Sequence, residues 1–536
     1  MIDTKALRQK VLDLAIRGKL VPQDPNDEPA SVLLERIRQQ KQQMVKEGKL
    51  RPKDIKNDSV IFVGEDNLHY EKFADGSVKC IEDEIPFDLP DGWAWERLSN
   101  LASFSGGKTP TTSRLEYWNG NILWVTSKDM KSKYIISSQL RLSALGAEQM
   151  QIYQPGTLLL VARSGILRHT LPVAILKECA TINQDLKAIV LYMPQLAEYI
   201  YICLKGMEAQ LLLRYTKSGT TVENINFDEF QKVLLPIPPA QQIDRIISSA
   251  GNAECVVSTI EDDKVALAEY VAKTKSKILD LSIRGQLVPQ DPNDEPASVL
   301  LERIRAEKEE LIRQGKIKRD KKESVIFRGE DNSYYEKIGT EVCCIDEEVP
   351  FDIPDTWKWM RLESCCIKEI RRGKSPKYIN ESGILVFAQK CNTKYSGIDV
   401  GLALFLDENT LGRYPDDEYM QDGDVVINST GTGTLGRVGI YHTTDNHLGL
   451  PIVPDSHVTV IRAPHSIQAF YMYVFMKANQ SELEKKGEGS TNQKELKPLT
   501  LKEILIPIPP YSEQERIVAT ITAAFSTMSA IEKSLN

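Results

Sequence analysis

The sequence predicts an α+β chain of two tandem β-rich domains with helices. Long antiparallel coiled-coil helices join them about a pseudo-twofold axis, with the N- and C-termini adjacent. Three observations predict this: a frame present twice almost verbatim, a heptad stripe kept in both copies, and two β-rich intervals that share little sequence.

LVPQDPNDEPASVLLERIR at residues 20–38 returns unchanged at residues 287–305, a shift of 287 − 20 = 267 in a chain of 536. KVLDLAIRGKL (10–20) matches KILDLSIRGQL (277–287), and SVIFVGEDN (59–67) matches SVIFRGEDN (324–332). EIPFDLPDGWAWERL (84–98) matches EVPFDIPDTWKWMRL (348–362), and PIPPAQQIDRI (236–246) matches PIPPYSEQERI (507–517). Such a repeat organises the chain. It is also circular. The last match places Asn536 at 536 − 271 = 265, and the first places Met1 at 1 + 267 = 268. Only residues 239–286 hold that segment unbroken, so the two chain ends are expected to meet in a closed, two-lobed molecule.

Pro29 and Pro296 suit the first position of a helix after the acidic DPNDE run, and Gly48 and Gly315 stop those helices. Their inner faces, Val32, Leu33, Leu34 and Ile37 against Val299, Leu300, Leu301 and Ile304, are identical. That identity reads as one shared packing arrangement or one partner bound twice. Further on, Ile243, Ile246, Ala250, Ala253, Val257 and Ile260 step by threes and fours, as do Gln514, Ile517, Ile521, Ala524, Met528 and Ile531. Each set is an a/d packing seam whose natural partner is the equivalent seam. The expected divisions are a helical frame at 1–92, a first insert domain at 93–235, a central frame with a long helix at 236–355, a second insert domain at 356–506, and a C-terminal helix at 507–536.

Hydrophobic content of 41% and charged content of 26% are those of soluble globular protein. No run approaches the eighteen apolar residues of a membrane span, and MIDTKALRQK lacks a secretory core, so no membrane association and a cytoplasmic location are expected. Nine cysteines without a CxxC spacing fit that compartment better than a disulfide scaffold or zinc ribbon. The six histidines are scattered, and His442 and His447 alone make no metal set. A net charge of −8 argues against coating nucleic acid over the whole surface, though not against local basic patches.

Three motifs invite chemistry and do not support it. AxxxxGKT at residues 102–109 has a loose phosphate-loop pattern, but Pro110 and a polar run follow where a helix is required, and the paired position begins with Lys368. GTGTLG at 431–436 is followed by RVGIY, a strand, and reads as a tight turn. IPPY at 508–511 has Ile508 where an amino-methyltransferase needs a hydrogen-bonding side chain. No nucleophile–base pair, metal cluster or nuclease cassette can be placed, so no catalytic residue is expected and the chain is read as a non-enzyme.

The tandem inserts, the entry Trp93-Ala94-Trp95-Glu96-Arg97-Leu98, the SGGKTP turn, TINQ, GTGTLGRVG and the PIPP exits into helices resemble, over essentially the whole chain, the specificity subunit of type I restriction–modification enzymes. ARSGILRHTLP in the first insert departs from the pattern of GTGTLGRVG in the second. The resemblance implies that each insert is a target-recognition domain reading one half of a split, asymmetric site in double-stranded DNA. It implies that the helices hold these domains apart and dock two methyltransferase (modification) subunits. It also implies restriction (endonuclease/translocase) subunits in the full complex, no cofactor bound by this chain, and S-adenosylmethionine and ATP/Mg on partner subunits.

On that reading the DNA contacts of the first insert are Lys108, Thr109, Lys128, Lys131, Arg163 and Arg168, with Lys133 nearby and Asn183 and Gln184 as readers of adenine. Those of the second are Arg371, Arg372, Lys374, Ser375, Lys377, Lys390, Lys394 and Arg437. Helix packing or partner docking falls to Leu33, Leu34, Ile37, Ile243, Ile246, Val257 and Ile260, and to Leu300, Leu301, Ile304, Ile517, Ile521, Met528 and Ile531. The alternative is a pseudo-symmetric protein-interaction scaffold without DNA binding, which the negative net charge favours; a third reading is an ATP-using enzyme built on AxxxxGKT.

Overall fold

The computed structural model describes the chain except residues 1, 57, 218–221, 320–322, 395–396, 432, 490–493 and 536. It divides into two units, Met1–Lys264 and Val265–Asn536.

In the first unit, helix α1 (Thr4–Ile16) is capped by the Asp3 carboxylate, and α2 (Ala30–Lys46) follows the DPNDE turn. Leu33, Leu34 and Ile37 are buried in the main core beside Ala15, Ile16 and Trp93. Truncating any one of them to alanine would cost about 2–5 kcal/mol. Pro29 is not the first helical residue but the cap, with extended ψ of 152°. The helix opens one residue later because the Ala30 amide is needed as donor to the Gly92 carbonyl at 2.7 Å, and proline has no such amide. The acidic run also finds side-chain partners: Glu28 pairs with Arg36 at 2.7 Å and Asp27 with Arg245. Gly48 ends the helix at φ +71°, with its amide on Val45 and the Lys49 amide on Met44, the closing pattern that favours a residue without Cβ.

A three-stranded antiparallel meander comes next: β1 (Ser59–Val63), β2 (His69–Phe73) and β3 (Val78–Cys80). Its outward face holds two cross-strand rows, Val60–Lys72–Val78 and Phe62–Tyr70–Cys80. The opposite face packs Ile61 toward Ile81, Trp95 and Leu234. Strand β4 (Ala94–Arg97) carries the tryptophan motif and pairs with the strand Leu234–Ile237 of the proline motif, Arg97 opposite Leu234. Arg97 binds Glu71 at 2.7 Å, Glu84 at 2.8 Å and the Lys232 carbonyl at 2.7 Å, fastening meander to insert.

The first insert holds two sheets. In one, β5 (Ala102–Gly106), β6 (Leu186–Leu191), β7 (Leu158–Val161) and β8 (Val173–Leu176) lie in that antiparallel order, with the short strand Tyr134–Ile135 at the far edge. In the other, Ala180–Ile182 runs parallel to Trp118–Val125, which pairs in turn with Leu140–Leu142. Helix α3 (Ala197–Gly206) closes the core, and the Tyr199 hydroxyl donates to the Pro236 carbonyl at 2.7 Å.

The second unit repeats this plan. Helix α5 (Ala297–Arg313) buries Leu300, Leu301 and Ile304 and ends at Gly315, φ +69°; Pro296 is again the cap, and Ala297 donates to Thr356. The meander Ser324–Arg328, Tyr334–Ile338, Glu341–Cys344 keeps the outward rows Val325–Lys337–Val342 and Phe327–Tyr335–Cys344. Arg361 binds Glu336 at 2.6 Å, Glu348 at 2.8 Å and the Glu503 carbonyl at 2.7 Å. Although the insert sequences diverge, Val425–Asn428 pairs with Val438–Ile440 and Val458–Ile461 as β7 pairs with β8 and β6. Ile452–Pro454 runs parallel to Leu385–Phe387 as in the first insert. The two inserts share one fold.

Helix α4 (Ala240–Ile283) contributes residues 240–264 to the first unit and the rest to the second. Within the first unit, Ile243, Ile246 and Ala250 are buried with Ala15 and Ile16, so this end of the seam is satisfied by α1. Val257 is buried and Ile260 half-buried. Arg8 of α1 binds Glu254 at 2.8 Å and Glu261 at 2.6 Å, setting α1 antiparallel to that stretch. Within the second unit, α6 (Tyr511–Leu535) buries Ile517 and Ile521 with Leu279 and Ile283, while Met528 and Ile531 are half-buried. Lys275 binds Glu532 at 2.7 Å and stands over the Phe525 ring at 5.8 Å. Shifts of 267 and 271 turn Arg8, Glu254 and Glu261 into Lys275, Phe525 and Glu532, so each unit rebuilds the same helix pair from different parts of the chain.

Candidate nucleic-acid interface

In the first insert the SGGKTP turn leaves β5 and lies directly on the end of the TINQ strand. A Cβ on Gly107 would fall 2.2 Å from the carbonyl oxygens of Ile182 and Asn183, so glycine is required there. The Lys108 amide donates to Ile182 at 3.1 Å, and the Thr109 hydroxyl donates to the Gln184 side chain. The Asn183 amide reaches Val125 at 3.0 Å, joining the turn of Lys128, which Asp129 closes by accepting from the Thr126 amide and hydroxyl at 2.8 Å. Ala162 donates to Asp185 at 2.8 Å, bringing the Arg163 loop alongside.

The strand ends thus gather Lys108, Thr109, Lys128, Arg163 and Gln184 on adjoining loops, with Lys131 just beyond. Lys108, Lys128, Lys131 and Arg163 are exposed and form no ion pair among the described residues. Arg168 is exposed but tied to Glu223, whose carboxyl that hydrogen bond holds below its usual range. Lys133 sits away from this cluster on Glu198 at 2.6 Å. Asn183 is a correction: it is buried, with its amide nitrogen on Asp185 at 3.1 Å, because its strand runs straight into the core. It holds the loop and presents no edge to a base.

In the second insert a Cβ on Gly373 would meet the Pro454 and Asp455 carbonyls at 2.3 and 2.4 Å, the same construction. Burial pushes the Asp455 carboxyl up, and its oxygen accepts from the His457 amide at 2.8 Å. The ARSGILRHTLP loop and the GTGTLG turn take equivalent places: Arg163 bridges Asn224, and Thr430 bridges Glu495, after matching strands. The first makes a short helical turn, Gly165–Arg168; residues 433–436 of the second form a tight turn before a strand.

The charges here are spent differently. Arg371 pairs with Asp417 at 3.1 Å and Glu418 at 2.7 Å, and Arg372 with Glu495 at 2.8 Å. Lys374 reaches the Arg413 carbonyl, and Lys377 holds Asp407 at 2.7 Å, keeping that carboxyl below its usual range. Arg437 donates to the Asn392 carbonyl at 2.8 Å and the Gly433 carbonyl at 3.0 Å, bracing the turn. These five cations brace the loops through these bonds. Ser375 and Lys390 remain exposed, and Lys394 has partners of its own. Lys368 is buried, and desolvation holds its ammonium below the usual lysine range.

Beneath these loops lies a polar cluster that sequence reasoning did not single out. Asn392 donates to Asn428 at 3.2 Å, Asn428 to the Gln389 carbonyl at 3.1 Å, Ser429 and Thr459 share a 2.7 Å bond, and Thr430 meets His457 at 2.7 Å. The signal was present as polar residues interrupting apolar runs in AQKCN and INST. The residues after Lys108 form no helix before the turn Leu115–Tyr117, so AxxxxGKT lacks the geometry of a phosphate loop.

One frame carrying two inserts of the same fold, with unlike loops at corresponding strand ends, defines a class of two-headed recognition subunits. The family model described as type I restriction modification DNA specificity domain matches residues 90–250 and again 354–536. The chain belongs to that family, the specificity subunits of type I restriction–modification systems. It is similar to the EcoEI specificity subunit of Escherichia coli, at 25% identity over 99% of this chain and 90% of that one. The EcoAI specificity subunit of Escherichia coli is 28% identical over 67% of this chain and 62% of its own length. A solved chain from work on complex assembly and conformational transition of the type I R-M system shares the fold, with a TM-score of 0.52 at 17% identity, over 84% of this chain and 94% of that one.

Proposed function

We propose that each insert reads one half of an asymmetric, bipartite site in double-stranded DNA, and that each copy of the frame docks one methyltransferase subunit. The observation that carries this is a single fold used twice with different loop chemistry at the same place, four cations without an ion pair among the described residues in the first insert and a braced polar cluster in the second. Cations facing phosphate position the duplex, and Thr109, Gln184, Ser375 and the loop side chains around Thr430 discriminate bases. On this reading the chain performs no chemistry. S-adenosylmethionine and ATP/Mg are held by partner subunits, and restriction subunits complete the assembly. The domain divisions expected from the repeat, a coiled-coil spacer and adjacent termini belong to the same proposal.

The test is a genomic methylation map from cells carrying this chain and its partner, with duplex binding measured over a salt series. A gapped two-part motif, and affinity that falls as salt rises, are expected. A continuous motif, or binding indifferent to salt, overturns the reading.

A further inference from the structure

The two meanders keep Ser59, Ile61 and Glu71 of the inward face as Ser324, Ile326 and Glu336 and differ at its other positions. On the inward face Val63, His69, Phe73 and Lys79 become Arg328, Tyr334, Ile338 and Cys343, and the turn ADGS shortens to GTE. On the outward face nothing changes. Both rows, Val–Lys–Val and Phe–Tyr–Cys, are the same in each copy.

That face is open. Phe62 and Phe327 are each 41% exposed, and Val78 and Val342 each 52%. Stacking within the chain sets Phe62 against Tyr70 and Phe327 against Tyr335, at 5.8 and 5.9 Å between ring centres, but it leaves both phenylalanines and both valines open, unlike the buried Leu33, Leu34 and Ile37. An apolar face on a small sheet with free edges is an aggregation liability, and keeping it twice calls for something that covers it. The identity says that the same thing covers both.

Charge states what kind of surface fits. Lys72 and Lys337 are the single charges on these faces, exposed and without an ion pair among the described residues. One cation amid two valines and two aromatic rings is a poor match for a polyphosphate backbone, which needs many. It suits a protein patch that is apolar with one carboxylate. We propose that the outward face of each meander docks one copy of the same protein partner, through an apolar patch with a carboxylate against Lys72 or Lys337. That partner is the methyltransferase subunit, an identification that rests on the function proposed above.

The cysteines test it without mutation. Cys344 ends a row on the outward face, while neighbouring Cys343, also exposed, points to the other. In the assembled complex of the full chain with its methyltransferase subunit, iodoacetamide labelling of Cys80 and Cys344 should slow by about tenfold or more, with Cys343 unchanged. Charge reversal gives the second arm, since Lys72→Glu and Lys337→Glu alter exposed, unpaired side chains and should leave the fold intact. Native mass spectrometry should show one subunit lost per altered face, and both lost when Phe62→Ser and Phe327→Ser are added. Two subunits still bound by the fourfold variant, or equal labelling of Cys343 and Cys344, overturns the docking face alone. A wild-type chain that binds no methyltransferase subunit overturns the proposed function as well.

Discussion

The Trp357 indole donates to Glu513 at 2.9 Å, and the Trp93 indole donates to Gln242 at the same distance. One repeat thus uses a carboxylate where the other uses an amide. Burial pushes the Glu513 carboxyl above its usual range, opposed by the hydrogen bonds from Trp357 and Gln290. A carboxyl raised on folding contributes stability that is present below the usual carboxylate range and lost as pH rises through the raised value. Glu513→Gln removes that dependence. At pH 4 the variant should lie within about 1 kcal/mol of wild type, and its melting temperature should gain on wild type as pH is raised to 8. A gap that stays constant with pH would show that Glu513 keeps its ordinary proton affinity. The tryptophan spacing was legible in the sequence. Its acceptor was not, because Gln242 lies 149 residues away and only the closed core brings them together.

The recognition turns depend on close approach between elements. Gly107→Ala forces the SGGKTP turn off the TINQ strand, because the new methyl meets backbone and not a side chain that can yield. Duplex affinity should fall by about tenfold or more. Gly165 on the neighbouring loop has open space where a Cβ would go, and Gly165→Ala should bind as wild type does. Equal affinities for both variants would remove the turn from the interface. The helices and their glycine stops were readable from period and cap chemistry. That the two inserts share a fold was not. LLLV and VVIN are buried at every position alike, and a buried strand asks only for apolar or satisfied side chains. Nor could the sequence show which cations were spoken for, since Asp417, Glu418 and Glu495 arrive from distant loops.

For the molecule as a whole, the shared frame and the single insert fold predict modularity. Replacing residues 363–503 with the corresponding interval of another family member should change one half of the methylated motif and leave the other, as read by methylation mapping. A change in both halves would mean that the inserts do not read independently. Arg97 and Arg361 are why such exchange is expected to fold: each ties its insert to its own meander through the same two glutamates and one carbonyl.

Duplication, its circular phase, the helix stripes and the kind of protein were all carried in local patterns, because repeats and periodicity need no knowledge of neighbours. Which side chains are free to meet a ligand was settled on folding, since exposure and charge pairing depend on residues far apart in the chain. Asn183 went inward, Arg371 and Arg372 found carboxylates, and a face of valine, phenylalanine, tyrosine and lysine was left open twice.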